Sequence, residues 1–198
     1  MSLLYFPSQA SSAAGGALTF VSNTTLSSDS SAVFTLDSTY KLVVFELIEV
    51  TVSADNTNLE IDVSVDAGTN YTVPLTSAAF YAENRGSSLT GVLAYDDSDD
   101  ATDSTTGATI VLATDTASSL TGACISGHVA IYRPAGSSYK KIYTTCGNDN
   151  IQSSVARFTN YTTWMTAKST SAIDRFRFKT SANNMTAGNI VMYGVKDS

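Results

Sequence analysis

The only histidine of this chain, His128, is the residue on which a catalytic site would most simply be built. Ser126 stands two residues before it in "ISGHVAIY", and residues two apart share one face of a β-strand. The serine nucleophile of an α/β-hydrolase lies in a G-x-S-x-G turn, which this stretch does not contain. The pattern favours a strand histidine that faces solvent or a hydrogen-bond partner.

The segment "YDDSDDATDSTTG", residues 95–107, is rich in carboxylates, whose oxygens suit Ca²⁺. An EF-hand loop counted from its first aspartate needs glycine at the sixth position and glutamate at the twelfth, where this chain has Ala101 and Gly107. We therefore predict a solvated acidic loop without a metal. Its aspartates are Asp96, Asp97, Asp99, Asp100 and Asp103.

Cys124 and Cys146 lie in adjacent predicted strands, where they could face each other. Two cysteines are too few for a disulfide framework. We favour two reduced, partly buried thiols over a bridge between them, because we expect the protein to be made and kept in a cytoplasm. Neither has a histidine or cysteine neighbour at the spacing of a zinc site.

A pair of catalytic carboxylates of the glycosidase kind stays open on the sequence alone. None of the four glutamates stands in a context that marks a general acid, and no phosphate loop or dinucleotide motif is present. The glutamates are Glu46, Glu49, Glu60 and Glu83. We predict that the protein is not an enzyme and binds no cofactor.

Aromatic side chains offer a different chemistry, because their flat faces can stack on sugars. The C-terminal half carries Trp164 together with Tyr132, Tyr139, Tyr143 and Tyr161. With ten tyrosines and eight phenylalanines, most such rings are expected in the core or in cross-strand pairs. Trp164 is the candidate for ligand stacking.

The elements that must position these residues are strands. Charged residues make up only 15% of the chain, whereas β-branched and aromatic residues are plentiful, which is typical of an all-β protein. About eleven apolar stretches between Gly, Asn, Asp and Ser turns predict an antiparallel β-sandwich, jelly-roll-like, as a single domain over residues 21–198. The stretches are 31–36, 40–52, 59–65, 88–95, 108–113, 123–133, 138–145, 154–159, 162–168, 173–179 and 189–195.

Two of these stretches make specific predictions about faces. The long run 40–52 alternates imperfectly, which indicates either burial on both faces or a bulge near Glu46. The run 59–65 alternates cleanly. Its apolar residues Leu59, Ile61, Val63 and Val65 are expected to point inward and Glu60, Asp62 and Ser64 outward.

The two chain ends are both apolar. We predict that residues 1–20 form an extended N-terminal arm that docks on another protein through Leu3, Leu4, Tyr5 and Phe6. The small-residue tract "SQASSAAGGA" follows these apolar residues and is typical of a flexible linker. The alternative is a first edge strand with a loose lead-in. The ending "AGNIVMYGVKDS" reads as a closing strand with both faces buried.

Charge is divided unevenly along the chain. Residues 1–127 hold 15 acids and two bases, a net of -13, and residues 128–198 hold three acids and nine bases, a net of +6. Complementarity within one domain is favoured over contact between subunits. The overall charge of -7 argues against nucleic acid as a partner, and no apolar run reaches the length of a membrane span.

Two stretches together resemble small jelly-roll proteins of tailed bacteriophage virions, particularly those of marine and cyanobacterial phages. One is "STYKLVVFELIEVTVSADNTNLEIDVSVDAGTNYTV", residues 38–73, and the other is "IDRFRFKTSANNMTAGNIVMYGV", residues 173–195. They cover about a third of the chain. Gly68, Tyr71, Tyr193 and Gly194 match as structural positions.

The resemblance implies a non-enzymatic virion protein that is assembled in the host cytoplasm. It favours a head decoration (cement) protein that binds the major capsid protein or another virion protein. The alternative is a tail or fibre component with a receptor- or carbohydrate-binding role. Such proteins are usually homo-oligomers, with trimers favoured. A membrane partner is not expected.

Overall fold

A computed structural model describes residues 17–54, 57–84, 91–98, 100–111, 123–152 and 155–196. These ranges contain twelve β-strands and no helix, which confirms the prediction of an all-β protein. The strands are β1 Thr19–Thr25, β2 Ser31–Thr35, β3 Tyr40–Val52, β4 Leu59–Ser64, β5 Leu75–Asn84, β6 Val92–Asp96, β7 Ala108–Val111, β8 Ile125–Tyr132, β9 Lys140–Gln152, β10 Val155–Ala167, β11 Arg175–Thr180 and β12 Met185–Lys196.

The strands form two antiparallel sheets. Eight strands follow the order β1-β12-β3-β8-β9-β10-β5-β6, and four follow the order β2-β11-β4-β7. Every pair of neighbouring strands runs antiparallel. The inner faces of the two sheets pack on each other, so the expected β-sandwich is confirmed.

Four phenylalanines form the centre of the core between the sheets. Phe45 of the larger sheet is fully buried, and its ring centroid lies 5.1 Å from Phe34, 4.7 Å from Phe176 and 5.2 Å from Phe178 of the smaller sheet. Alternation explains this arrangement, because residues two apart on β11 or on β3 point to the same side. The rings therefore join the two layers.

The irregular pattern of β3 comes from a bulge, which lies later than predicted. Glu46 pairs in register with His128 and Val191, and the register of β3 with β8 shifts between Leu47 and Val50. The buried set moves from odd to even residues at this point, because an extra residue flips the following side chains. Glu49, at the bulge, has a φ of 52°.

The partner strand accommodates this bulge with a glycine. Gly188 of β12 has a φ of 102°, and a Cβ at this position would lie 2.5 Å from the carbonyl oxygen of Glu49. No other residue tolerates both the left-handed backbone and this approach. The bulge and Gly188 therefore form one structural unit across β3 and β12.

Strands β10, β5 and β1 differ from the predicted stretches. Stretches 154–159 and 162–168 form one strand, β10, which pairs without a break with β9. Strand β5 was not predicted, since "LTSAAFYAEN" is rich in small residues that have no strong strand preference. Strand β1 begins at Thr19, inside the predicted arm, while Leu3–Phe6 lie outside the described residues.

The predicted orientation of the β4 side chains is confirmed only for those that point to the core. Leu59, Ile61 and Val63 are buried as expected, but Val65 is exposed. Asp62 and Ser64, expected to face solvent, are 2% and 0% exposed. This pattern shows that the outer side of β4 is itself covered.

A turn formed by residues 66–71 covers the outer side of β4. The Ser64 hydroxyl accepts hydrogen bonds from the backbone N–H of Gly68 at 3.0 Å and donates to the carboxylate of Asp66 at 2.7 Å. The ring of Tyr71 lies 3.8 Å from the guanidinium carbon of Arg177. The D-x-G-T-x-Y turn thus covers the outer side of the smaller sheet at β4.

We expect Asp66→Asn to weaken this turn in a pH-dependent way. Hydrogen bonds from Ser64 and from the backbone and side chain of Asn70 hold the pKa of Asp66 below its usual value. The stabilisation is therefore present above pH ~4, the ordinary aspartate value, and is lost as pH falls through the lower folded pKa. The melting temperature of the variant should be below that of wild type at pH 7 and should approach it near pH ~2.

The control for this prediction is Asp97→Asn, which changes an exposed aspartate on the acidic loop. An equal difference between wild type and Asp66→Asn at both pH values would contradict the role of the Asp66 charge.

Among the described residues, ion pairs neutralise part of the uneven charge within the domain. Arg177 donates from Nε to Asp62 at 2.8 Å, and Lys179 Nζ lies 2.6 Å from Glu60. A third ion pair joins Lys168 to Asp103. Each pair joins a base of the C-terminal half to an acid of the N-terminal half, as internal complementarity predicts.

The C-terminal stretch is an interior strand, as predicted. Strand β12 lies between β1 and β3, with Ile190 and Met192 buried on one side and Val191 and Val195 on the other. The ring of Tyr40 lies against Gly194, where a Cβ would come within 2.3 Å of a ring carbon. The chain therefore needs glycine here for a close contact with an aromatic ring.

Candidate functional site

The outer face of the eight-stranded sheet carries the aromatic residues that were considered for binding. On β10 the odd-numbered residues from 159 to 167 are buried, so that the even-numbered residues point outward. Trp164 is 52% exposed. Tyr161, by contrast, is buried in the core, so it is not available for ligand stacking.

Three neighbouring strands place a row of rings at the middle of this face. His128 of β8, Tyr143 of β9 and Trp164 of β10 follow one another, with centroids 6.3 Å and 4.5 Å apart. Trp164 and Tyr143 are directly opposite each other in the strand register. Cross-strand pairs of this kind stabilise a sheet, and here one side of the pair also meets solvent.

A second exposed group lies toward the β6 edge of the same face. The rings of Phe80 and Tyr95 lie 5.3 Å apart on paired strands, and both are about half exposed. Leu93 on β6 is 82% exposed, and Phe158 on β10 is 51% exposed. Apolar groups that remain this exposed in neighbouring positions indicate a surface for binding.

Polar side chains flank the central rings. On one side, Lys141 donates to the Thr166 hydroxyl at 2.9 Å. Lys141 lies opposite Tyr132 in the pairing of β9 with β8. On the other side Thr145 and Asn160 lie 3.4 Å apart. Outward-facing residues two apart along a strand are separated by ~6.8 Å. Hydroxyl, amide and ammonium groups therefore border the row of aromatic rings at about this distance.

The outer face of the four-stranded sheet has a different chemistry. Two ion pairs lie on it, Arg177–Asp62 beneath Tyr71 and Lys179–Glu60. Arg175 donates to the backbone carbonyl of Asp174. The two outer faces thus divide the molecule into a self-paired charged side and an aromatic side.

His128 and Ser126 do not form a pair of base and nucleophile. His128 is half-buried and lies opposite Glu46 and Thr145. The Ser126 hydroxyl accepts the backbone N–H of Glu49 at 3.0 Å and therefore supports the β3 bulge. Side chains two apart on one strand are ~6.8 Å from each other, beyond hydrogen-bond reach.

The acidic segment is not a simple solvated loop, which corrects the prediction. Asp100 accepts the backbone N–H of Ala79 at 3.0 Å and the Tyr95 hydroxyl. Asp103 accepts the Thr76 hydroxyl at 3.0 Å. These carboxylates fasten the segment to β5 and β6. Among the described residues, no three His, Cys, Asp or Glu side chains stand close enough to hold a metal.

Cys124 and Cys146 are thiols and do not form a disulfide, in agreement with the interpretation of the sequence. Cys146 is opposite Gly127 in the strand register and not opposite Cys124. Burial raises the pKa of the Cys146 thiol to about 12, so it is protonated at neutral pH and unreactive.

Sequence reasoning singled out Trp164 but did not connect it to Phe80, Leu93 and Tyr95. Strand β5, which the sequence did not predict, connects these residues, because it pairs with β10 on one side and with β6 on the other. The alternation of "VLAY", with Leu93 and Tyr95 two apart, was the only signal that these two share a face.

Within the described ranges, no helix is long and apolar enough to cross a membrane. Comparison of the chain with protein-family models, with curated proteins and with solved structures finds no match.

Proposed function

We propose that this protein is a non-enzymatic structural protein of a tailed bacteriophage virion. Its most specific role would be that of a capsid decoration (cement) protein, which attaches to the major capsid protein or to another virion protein. The observation that carries the proposal is the aromatic outer face of the eight-stranded sheet, combined with the resemblance of residues 38–73 and 173–195 to virion jelly-roll proteins.

Strand order supports the jelly-roll part of the proposal. Without β9, β10, β5 and β6, the larger sheet reads β1-β12-β3-β8 and faces β2-β11-β4-β7. The first and last strands are then neighbours, as are the second and the last but one. Successive strands alternate between the sheets except for β4 and β7, which pair with each other in the smaller sheet. Eight strands in two interlocked Greek keys are arranged in this way in jelly rolls, a fold that viral capsids use repeatedly.

The four added strands explain why one face is suited to docking. They widen the larger sheet from four strands to eight and carry Phe80, Leu93, Tyr95 and Trp164 on the outer side. Burial of such side chains against a partner releases ~1.5–3 kcal/mol each when complete. A cement protein stabilises a shell by this means, because it binds only the assembled state.

The test is an electron-microscopy map of the intact particle, with wild type and two variants supplied during assembly. Density for wild type on the head is expected, and Phe80→Asp should reduce its occupancy about tenfold or more, since 1.4 kcal/mol already corresponds to tenfold. Val33→Asp is the matched control, because Val33 is similarly exposed on the other outer face. Full occupancy of Phe80→Asp, or absence of the protein from the particle, would overturn the proposal.

A second candidate is a tail or tail-fibre component that binds a carbohydrate receptor. The paired rings of Tyr143 and Trp164, bordered by Lys141 and by hydroxyl and amide groups, favour it. An aromatic face can stack on the apolar face of a sugar ring while the flanking groups bind its hydroxyls.

A glycan array separates the two candidates. Receptor binding predicts specific glycans whose signal Trp164→Ala abolishes and Phe20→Ala preserves, because Phe20 is equally exposed but lies at the opposite edge of the sheet. A blank array for a folded wild-type protein would rule out the glycan candidate and leave the cement role.

A further inference from the structure

The β6 edge of the larger sheet is an open site for an additional strand. Among the described residues β6 pairs only with β5, so one side of its backbone has no strand partner. Leu93 and Tyr95 stand on this strand at 82% and 52% exposure. An edge strand that is neither charged nor covered at its apolar positions is a template for β-augmentation.

The opposite edge of the same sheet is protected against such pairing. Strand β1 carries Ser22, Asn23 and Thr24, and its register with β12 shifts between Phe20 and Ser22. A bulge disrupts the regular backbone of an edge and so disfavours pairing there. Phe20 of β1 is 60% exposed, so the two edges differ in the regularity of their backbone and not in the exposure of apolar side chains.

The chain contains a segment whose chemistry matches the β6 edge. "SLLYF", residues 2–6, has five residues, the length of β6, and alternates Leu4 and Phe6 with Leu3 and Tyr5. Pro7 follows at once and cannot donate to a ladder, so it would end the added strand. On an added strand, either Leu4 and Phe6 or Leu3 and Tyr5 would cover Leu93 and Tyr95 of β6.

Distance favours a second copy as the donor. Strand β1 lies seven strand positions from β6, and an added strand lies one further, which amounts to ~38 Å at ~4.8 Å per strand. The twelve residues 7–18 span at most ~43 Å when fully stretched and ~19 Å as a flexible linker. Pairing within one copy would require a nearly taut linker, whereas a neighbour imposes no such requirement.

We propose that residues 2–6 of one copy add as a strand to β6 of a second copy. Each copy then donates at one end of the sheet and accepts at the other. This head-to-tail contact joins two different surfaces, so it closes into a ring if the rotation permits. The inference concerns contacts between copies and goes beyond the proposed attachment to a virion.

Two full-length variants test the exchange. The donor variant is Leu4→Glu/Phe6→Glu, and the acceptor variant is Leu93→Glu, which is well tolerated by the fold because the side chain is exposed. Val33→Glu is the control, since it adds the same charge to an exposed edge-strand position of the other sheet. Mass is measured by light scattering after size exclusion, with circular dichroism to verify folding.

Wild type and Val33→Glu should share one mass that is a multiple of 20.8 kDa, and each of the other variants alone should be a 20.8 kDa monomer. An equimolar mixture of donor and acceptor variants should give a species of twice the monomer mass, because one intact donor and one intact acceptor remain. A mixture that stays monomeric, a variant that keeps the wild-type mass, or a monomeric wild type would overturn the proposal. None of these outcomes depends on a virion.

Discussion

A chain that ends at Asn189 should not fold. Its missing residues form most of β12, which pairs β1 on one side and β3 on the other. The deletion removes four buried apolar side chains, Ile190, Val191, Met192 and Val195. At ~1.5–3 kcal/mol each, they contribute ~6–12 kcal/mol, which is comparable with the whole stability of a domain.

The measurement is far-UV circular dichroism with thermal unfolding of the purified protein. Wild type should unfold cooperatively, and the truncated chain should show no cooperative transition or should be insoluble. The matched control ends at Lys196, so it keeps all of β12. A cooperative transition in the chain that ends at Asn189 would contradict the interior role of this strand.

Replacing Phe45 by alanine should have the largest effect of any single core substitution. Phe45 is fully buried and contacts three phenylalanines of the opposite sheet. Loss of the ring leaves a cavity between the sheets, and substitutions of this kind cost ~3–5 kcal/mol. In a domain of this size that corresponds to a fall in melting temperature of ~6–20 °C.

Urea unfolding gives the free energy difference directly. Phe158→Ala is the matched control, because the same atoms are removed from a side chain that is 51% exposed. The control should cost only ~1 kcal/mol, because about half of this ring is already exposed to solvent. Equal losses in the two variants would show that the four-ring cluster does not hold the sheets together.

The candidate site was predictable only in part. Trp164 was singled out by its residue type, and its exposure agrees with that choice. Its partner Tyr143 became evident only when β9 and β10 were seen to pair residue by residue. The remaining members of the face depend on β5, whose alanines and serines carry no pattern that distinguishes a strand from a loop.

Adjacent lysines illustrate the same limit. Lys141 points to the outer face and donates to Thr166, while Lys140 is buried and donates to the backbone carbonyls of Ser169 and Ser171 at 3.0 and 2.6 Å. Burial lowers the pKa of Lys140. The sequence does not distinguish the two lysines. Only the position of the 168–174 loop decides which lysine finds hydrogen-bond acceptors in the interior.

The sequence by itself determined that this is an all-β protein, which residues of β4 face the core and that the chain closes with a buried strand. These properties are local, because alternation within six to twelve residues reports them. Tertiary structure alone decided the strand order, the burial of Asp62 beneath Tyr71 and the aromatic outer face. Asp62 meets Arg177 across 115 positions of sequence, and contacts of this kind exist only once distant strands have paired.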